Sequence, residues 1–174
     1  MTRFIYPGGV RDHGLVERST SGAAWEARRV TFDDWKIDAC PEHGPALSIS
    51  GSGRYHMSWF SLGELHKGLF YAYSSDQGRH FSSPKAFGGI NALPGHPSVL
   101  AKDNQVSVAW QEYDGTRTVI KYMHSLDQGE NWSLPEQVSE TRGNADIPIL
   151  LSNGDSIYLS WNTEDEGYRL VPLK

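Results

Sequence analysis

Three short segments carry residue types that bind transition metals. DACPEHGP (38 to 45), PGHP (94 to 97) and ADIP (145 to 148) align on their prolines, and His43, His96 and Asp146 then fall within one position of one another, with Cys40 and Glu42 close by. Imidazole, carboxylate and thiolate are ligands of zinc and related ions. The plainer reading is a set of ordinary polar residues in loops, satisfied by water and backbone. It is preferred because ligands from three separate segments need a geometry that spacing does not supply. No metal and no cofactor is therefore expected. A second set lies in PGGVRDHG, LGELHKG, EYDGTR and NTEDEG, which supply Arg11, Asp12, Glu64, His66, Glu112, Asp114 and Glu164. Two carboxylates across a groove would suit glycoside hydrolysis, one as acid and one as base or nucleophile. With 21 Asp and Glu in the chain, some carboxylates fall in loops by chance.

The elements that must position these residues show themselves as repeats. SSDQGRHF (74 to 81) and SLDQGENW (125 to 132) share the pattern Ser-x-Asp-x-Gly-x-x-aromatic, 51 positions apart. Each follows an alternating apolar run, as a β-hairpin does. Asp76 and Asp127 can accept backbone N–H groups of a tight loop, Ser74 and Ser125 can support them, and Gly78 and Gly129 permit positive φ. Phe81 and Trp132 then anchor the hairpin. The period extends beyond the motif: Trp59, Trp110 and Trp161 are spaced by 51 and 51, and Pro45, Pro97 and Pro148 by 52 and 51, each proline opening an apolar strand. A chance pair of motifs would not carry other positions along with it.

The eight-residue pattern resembles the Asp-box, or BNR repeat, of sialidases and related β-propellers. The resemblance implies an all-β fold of sialidase-like propeller blades, each a four-stranded antiparallel meander of about fifty residues, with the Asp-boxes as structural turns on the outer rim. Strands A to D are expected at 45–50, 54–61, 67–74 and 81–87, and again at 97–102, 105–112, 117–124 and 132–138. A last unit has A at 147–151, B at 156–161 and C at 167–172. Residues 18 to 25, RSTSGAAW, keep Gly22 and Trp25 in register but put Thr20 at the aspartate position, a degenerate third copy. TRFIY and GLVERS upstream would be B and C of a first unit. The chain thus reads as one domain of two complete and two partial blades, at about 1–37 (partial), 45–91, 97–141 and 146–174 (partial). Sheets lacking a member expose edges, so a homodimer completing a six-bladed ring is one expectation and a piece of a longer propeller the other.

Composition excludes several classes. A net charge of −5, with Lys and Arg scattered, gives no electrostatic footprint for nucleic acid. No stretch has membrane-spanning length, and MTRFIYPGG lacks the apolar core of a signal peptide. As written the chain is expected to stay where it is made, or to be exported if the natural gene starts upstream. Cys40 is the single cysteine, so packing must hold the fold. Eighteen glycines, six tryptophans and eight tyrosines suit strands and turns.

In a four-stranded meander the A-to-B and C-to-D turns lie on one side, and the B-to-C and D-to-A connections on the other. The motif turns are C-to-D, so the opposite side carries the irregular loops and is the expected binding face. Cys40, His43, His66, His96 and Asp146 are its candidate residues, for a glycan or protein ligand. Sialidase catalysis, which the resemblance raises as the alternative, needs three arginines for the sugar carboxylate and a tyrosine with a glutamate as nucleophile. The nearest match to the family's Arg-Ile-Pro element is Asp146-Ile147-Pro148, and an aspartate repels a carboxylate. Arg11, Arg117 and Arg142 are the arginines expected near that face, and Tyr113 beside Glu112 is the candidate pair. The catalytic candidates are therefore Arg11, Glu112, Tyr113 and Arg142.

Overall fold

A computed structural model describes residues 1–18, 22, 24–39 and 41–173. The described residues form fourteen strands and two short 3-10 segments, Pro7–Gly9 and Ile90–Ala92. The strands build four antiparallel sheets in chain order. The first holds β1 (Thr2–Arg3), β2 (His13–Arg18) and β3 (Trp25–Arg29). The second holds β4 (Ala46–Ile49), β5 (Tyr55–Leu62), β6 (Lys67–Ser74) and β7 (Lys85–Phe87). The third holds β8 (Gly95–Lys102), β9 (Gln105–Tyr113), β10 (Thr118–Ser125) and β11 (Glu136–Thr141), and the fourth β12 (Ile149–Asn153), β13 (Ser156–Thr163) and β14 (Gly167–Leu173). Within each sheet, strands consecutive in sequence are neighbours.

Side-chain alternation explains why the middle strands read as nearly unbroken apolar runs. On β9, Val106, Val108 and Trp110 pack with Phe60, Leu69 and Tyr71 of the second sheet, while Ala109 points the other way and packs with Leu159 and Trp161 of the fourth. On β5, Phe60 faces the third sheet, whereas Met57 and Trp59 face a cluster completed by Met1 and Val30. A strand buried on both faces has no polar side to present. Trp59, Trp110 and Trp161 are each at most 2% exposed. The outer face of the fourth sheet leaves Ile149, Leu151, Tyr168 and Leu170 exposed.

The two repeated turns fold alike, atom for atom. Ser74 Oγ donates to Asp76 Oδ1 (2.7 Å) and accepts from Gly78 N (2.8 Å), and Ser125 Oγ does the same with Asp127 Oδ1 (2.7 Å) and Gly129 N (2.8 Å). Asp76 Oδ1 accepts from His80 N (2.9 Å), and Asp127 Oδ1 from Asn131 N (2.8 Å). These bonds hold both carboxyls below the usual carboxylate range, Asp127 at about 2. Gln77 and Gln128 take left-handed backbone before the glycines. The fragment 18–25 is described only at Arg18, Gly22, Ala24 and Trp25, so the degenerate copy lies largely outside the described residues.

Each turn is also gripped by the preceding sheet. Arg28 of β3 donates to Gly78 O (3.0 Å) and Gln77 O (2.6 Å), and Arg54, just before β5, donates to Gln128 O (3.1 Å) and pairs with Glu130 (3.2 Å). Gly78 lies against Leu15 and Gly129 against the Tyr71 hydroxyl. Trp132 packs edge-on against Tyr71, with centroids 4.7 Å apart.

The fourth strands begin later than expected, at Lys85 and Glu136 rather than at 81 and 132. The reason is local. Ser82 Oγ accepts from Tyr73 N (3.1 Å) and Ser133 Oγ from His124 N (3.0 Å), so a side chain takes a donor that a ladder carbonyl would otherwise hold. Pro84 and Pro135 then offer no N–H to the ladder.

The turn geometry makes a quantitative prediction. Gly129 has φ +90° and a Cβ there would run into Tyr71, whereas Gly154 has φ +57° with open space around it. Gly129→Ala is expected to cost about 2 kcal/mol or more in urea unfolding, and Gly154→Ala about 1 kcal/mol.

Candidate functional site

The loops opposite the repeated turns meet in the structure. The β7–β8 connection joins the end of β9 through Gly89 N and Glu112 Oε1 (3.2 Å), and the β11–β12 connection joins the β13–β14 loop through Glu164 N and Asn144 O (2.8 Å). The β4–β5 and β8–β9 turns lie instead beside the second repeated turn, through Ser52 to Gln128 (3.0 Å) and Gln128 N to Asn104 O (2.8 Å).

The densest polar cluster forms where the first sheet's loops meet the β3–β4 connection. Asp12 is 1% exposed and takes Arg29 in an ion pair, while Arg29 also reaches Asp34 at 2.6 Å and lies over the rings of Tyr6 and Phe32. One buried oxygen of Asp12, Oδ1, has no partner. Arg3 donates to the carbonyls of Arg11 (2.9 Å), His43 (2.9 Å) and Phe60 (3.2 Å), and its guanidinium lies 4.6 Å above the Trp35 ring. Burial brings it down to about 10. Beside them, Asp33 accepts from Trp59 Nε1 (2.9 Å) and His66 Nδ1 (2.7 Å). Burial raises its carboxyl, and those two bonds oppose the rise. A cavity of about 520 Å³ opens next to this pair, between the first and second sheets.

The indole N–H groups of all three periodic tryptophans are satisfied at this end. Trp59 uses Asp33, Trp110 uses Glu112 Oε1 (2.8 Å) and Trp161 uses the Asp146 carbonyl (2.8 Å). A buried indole requires an acceptor, so these loops serve the core as well as the surface.

The candidate residues distribute as follows. His43 and His96 come together, their rings 4.4 Å apart, with His43 also 4.5 Å from Phe60. His96 has φ +49°. Asp146 belongs to another group, with Asn162 Nδ2 on its carboxylate (3.2 Å) and Gln111 Nε2 on its carbonyl (2.7 Å). Cys40 lies outside the described residues, and Glu42 is exposed. Among the described residues no group of three or more His, Cys, Asp or Glu could hold a metal ion.

Arg11 uses its backbone, donating from N to Trp35 O (2.8 Å). Glu112 is occupied by Trp110 and Gly89, while Tyr113, 44% exposed, follows it on β9 and so points to the opposite face. Arg117 is held by Asp114 (3.0 Å) and Glu140 (2.8 Å), and Arg142 is exposed. Glu64 is exposed and 3.9 Å from Lys36. Sequence reading missed Arg3, Arg29 and Asp33. For Asp33 the available signal was the spacing of 56 from Trp25 to Phe81, against 51 between the other copies, with the extra length falling at 33 to 44.

Neither a family model nor a curated protein sequence matches the chain. Among solved structures it is similar to the Trypanosoma rangeli sialidase in complex with 2-keto-3-deoxy-D-glycero-D-galacto-2,3-difluoro-nononic acid, with a TM-score of 0.54 and 12% identity. The fold is sialidase-like. The match covers 96% of this chain and 33% of the sialidase, so the chain spans about a third of that protein's length.

Three buried or half-buried histidines set an acid response. Burial, first of all, lowers His13 to about 3, and His43 and His56 to about 4, with nearby cations and, for His43, His96 adding to it. Their folded values lie below the unfolded value of about 6.5, so the unfolded chain takes up protons first and stability falls as pH drops. The urea midpoint is expected to be flat above about pH 6.5 and to decline steadily toward about pH 4, before the low carboxyls of Asp76, Asp114 and Asp127 contribute. A midpoint unchanged across that window would contradict the assignment.

Proposed function

We propose that the four sheets are blades of a sialidase-like β-propeller, that the Ser-x-Asp-x-Gly-x-x-aromatic turns are its Asp-boxes, and that the opposite loop face binds a glycan or protein as a binding or scaffolding module. The identical bonding of the two turns and the backbone likeness to a sialidase support the propeller reading. The exposed apolar outer face of the fourth sheet is a surface on which a further sheet would pack. In this proposal a second copy of the chain supplies it and completes a six-bladed ring.

The state of the arginines carries the choice of a module over a hydrolase. Arg117, one of the three arginines expected near this face, is neutralised by two carboxylates, and Arg29 is paired with two more, so neither offers a free charge to a sugar carboxylate. A sugar carboxylate needs guanidinium groups with unspent charge. The second reading, an exo-sialidase-type glycoside hydrolase working as an assembled ring, is favoured by the sugar-acid derivative in the similar structure. There Arg11, Arg142, Glu112 and Tyr113 would carry the chemistry.

A fluorogenic sialoside assay at high protein concentration, run beside a glycan array, separates the readings. The module predicts selective glycan or protein capture without turnover. Turnover that is lost in Arg11→Ala or Glu112→Ala would overturn it in favour of the hydrolase. Light scattering should give the mass of a dimer, and a folded monomer at high concentration would remove the second copy from the proposal.

A further inference from the structure

The cavity of about 520 Å³ between the first and second sheets is a groove with two unlike ends. Leu65 and His66 stand where β6 begins, and Arg79, His80 and Phe81 lie beyond the point where it stops. Between these ends the register pairs Trp59 with Phe70 and Met57 with Ala72, so the lining follows β5 and β6 along their length. β6 has eight residues, about 25 Å of extended chain. Met57, Trp59 and Ala72 are buried at the bottom, while Val30, Phe32, Leu65 and Phe81 supply the accessible apolar walls. A site drawn out along a strand suits a chain better than a compact ring system.

Most polar groups of the lining are already engaged. Thr31 Oγ1 accepts from His13 N (2.9 Å), Asp33 holds Trp59 Nε1 and His66 Nδ1, Ser82 Oγ accepts from Tyr73 N, and Arg29 is paired with Asp12 and Asp34. His66 and His80 both turn Nδ1 to a carboxylate, of Asp33 and Asp76, and their side chains are 31% and 88% exposed, which leaves Nε2 to solvent. Arg79 is different. Glu17, in whose field it lies, is held by Arg28 through two bonds of 2.8 and 2.9 Å, and among the described residues no carboxylate pairs with Arg79. One unpaired guanidinium therefore stands at the end of an apolar groove, near the exposed Ser83. A cation is repelled there, a neutral chain leaves the guanidinium without a partner, and a carboxylate completes it.

We propose that this groove binds a free alkyl carboxylate of medium length, its chain lying along Val30, Leu65 and Phe81 and its carboxylate pairing with Arg79. Arg79 belongs to the repeated-turn end, opposite the loop face, so the assignment does not rest on what that face binds.

Calorimetric titration with sodium decanoate, sodium octanoate, decan-1-ol and decyltrimethylammonium, each below its micelle concentration, tests the assignment, with the Val30 and Leu65 methyl resonances followed in parallel. Decanoate is expected to saturate at one per chain, shifting both sets of methyls, and to bind about 10-fold tighter than octanoate, whose chain is two methylenes shorter. It should exceed decan-1-ol by about 3- to 10-fold, and decyltrimethylammonium should bind weakest. Arg79→Gln removes a charge that no carboxylate holds, so the fold should persist by circular dichroism while decanoate falls to the level of decan-1-ol. Lys85→Gln, at an exposed cation outside the lining, should change neither affinity. Absence of saturable binding, equal affinities for decanoate and decan-1-ol, or a preference for decanoate that survives Arg79→Gln or is lost as fully in Lys85→Gln would overturn the proposal.

Discussion

Burial of both faces of the middle sheets is the constraint on which the structure depends. A sheet with one polar face can stand on a single core, but the second and third sheets have apolar side chains on both sides, and neither can fold as an isolated unit without exposing one set. Val108 and Trp110 need the second sheet, while Ala109 and Ile120 need the fourth. Stability is thus shared between neighbours, as in other stacked repeats. The apolar outer surface of the fourth sheet follows the same rule, since it occupies the register that is covered in the two sheets before it.

The repeated turns convert that stacking into a directed arrangement. Each is closed internally by serine and aspartate, so its backbone donors are satisfied before it meets anything else. It then offers carbonyls to an arginine of the preceding sheet, Arg28 for the first and Arg54 for the second. This fixes one end of the contact between the first and second sheets and of that between the second and third. The opposite end is left to longer loops whose polar groups satisfy the tryptophan N–H groups and one another. Rigid turns at one end and irregular loops at the other are what allow a surface to be specialised without disturbing the core.

The sequence carried the sheets well because their signals are local and repeated: tryptophans buried at one period, prolines opening inner strands, and a turn motif whose residue types dictate its bonding. The strand B and C boundaries fall within two residues of the structure wherever such signals exist. The late starts of β7 and β11 were hidden because a serine hydroxyl replacing a ladder partner looks like any other serine. The candidate site was less legible. Proline alignment correctly brought His43 beside His96, yet grouped Asp146 with them, although its bonds are to Gln111 and Asn162. Asp33 escaped notice because its importance comes from partners 26 and 33 residues away, Trp59 and His66, and no periodicity marks such a meeting.

Cooperation between adjacent sheets is the central claim, and native-state hydrogen exchange tests it most directly. The backbone amides of β5, β6, β9 and β10 should exchange only through one shared opening, with the same free energy and the same dependence on low concentrations of denaturant. If β5 and β6 open well below the free energy at which β9 and β10 do, the second and third sheets are independent units, and their stability is not shared.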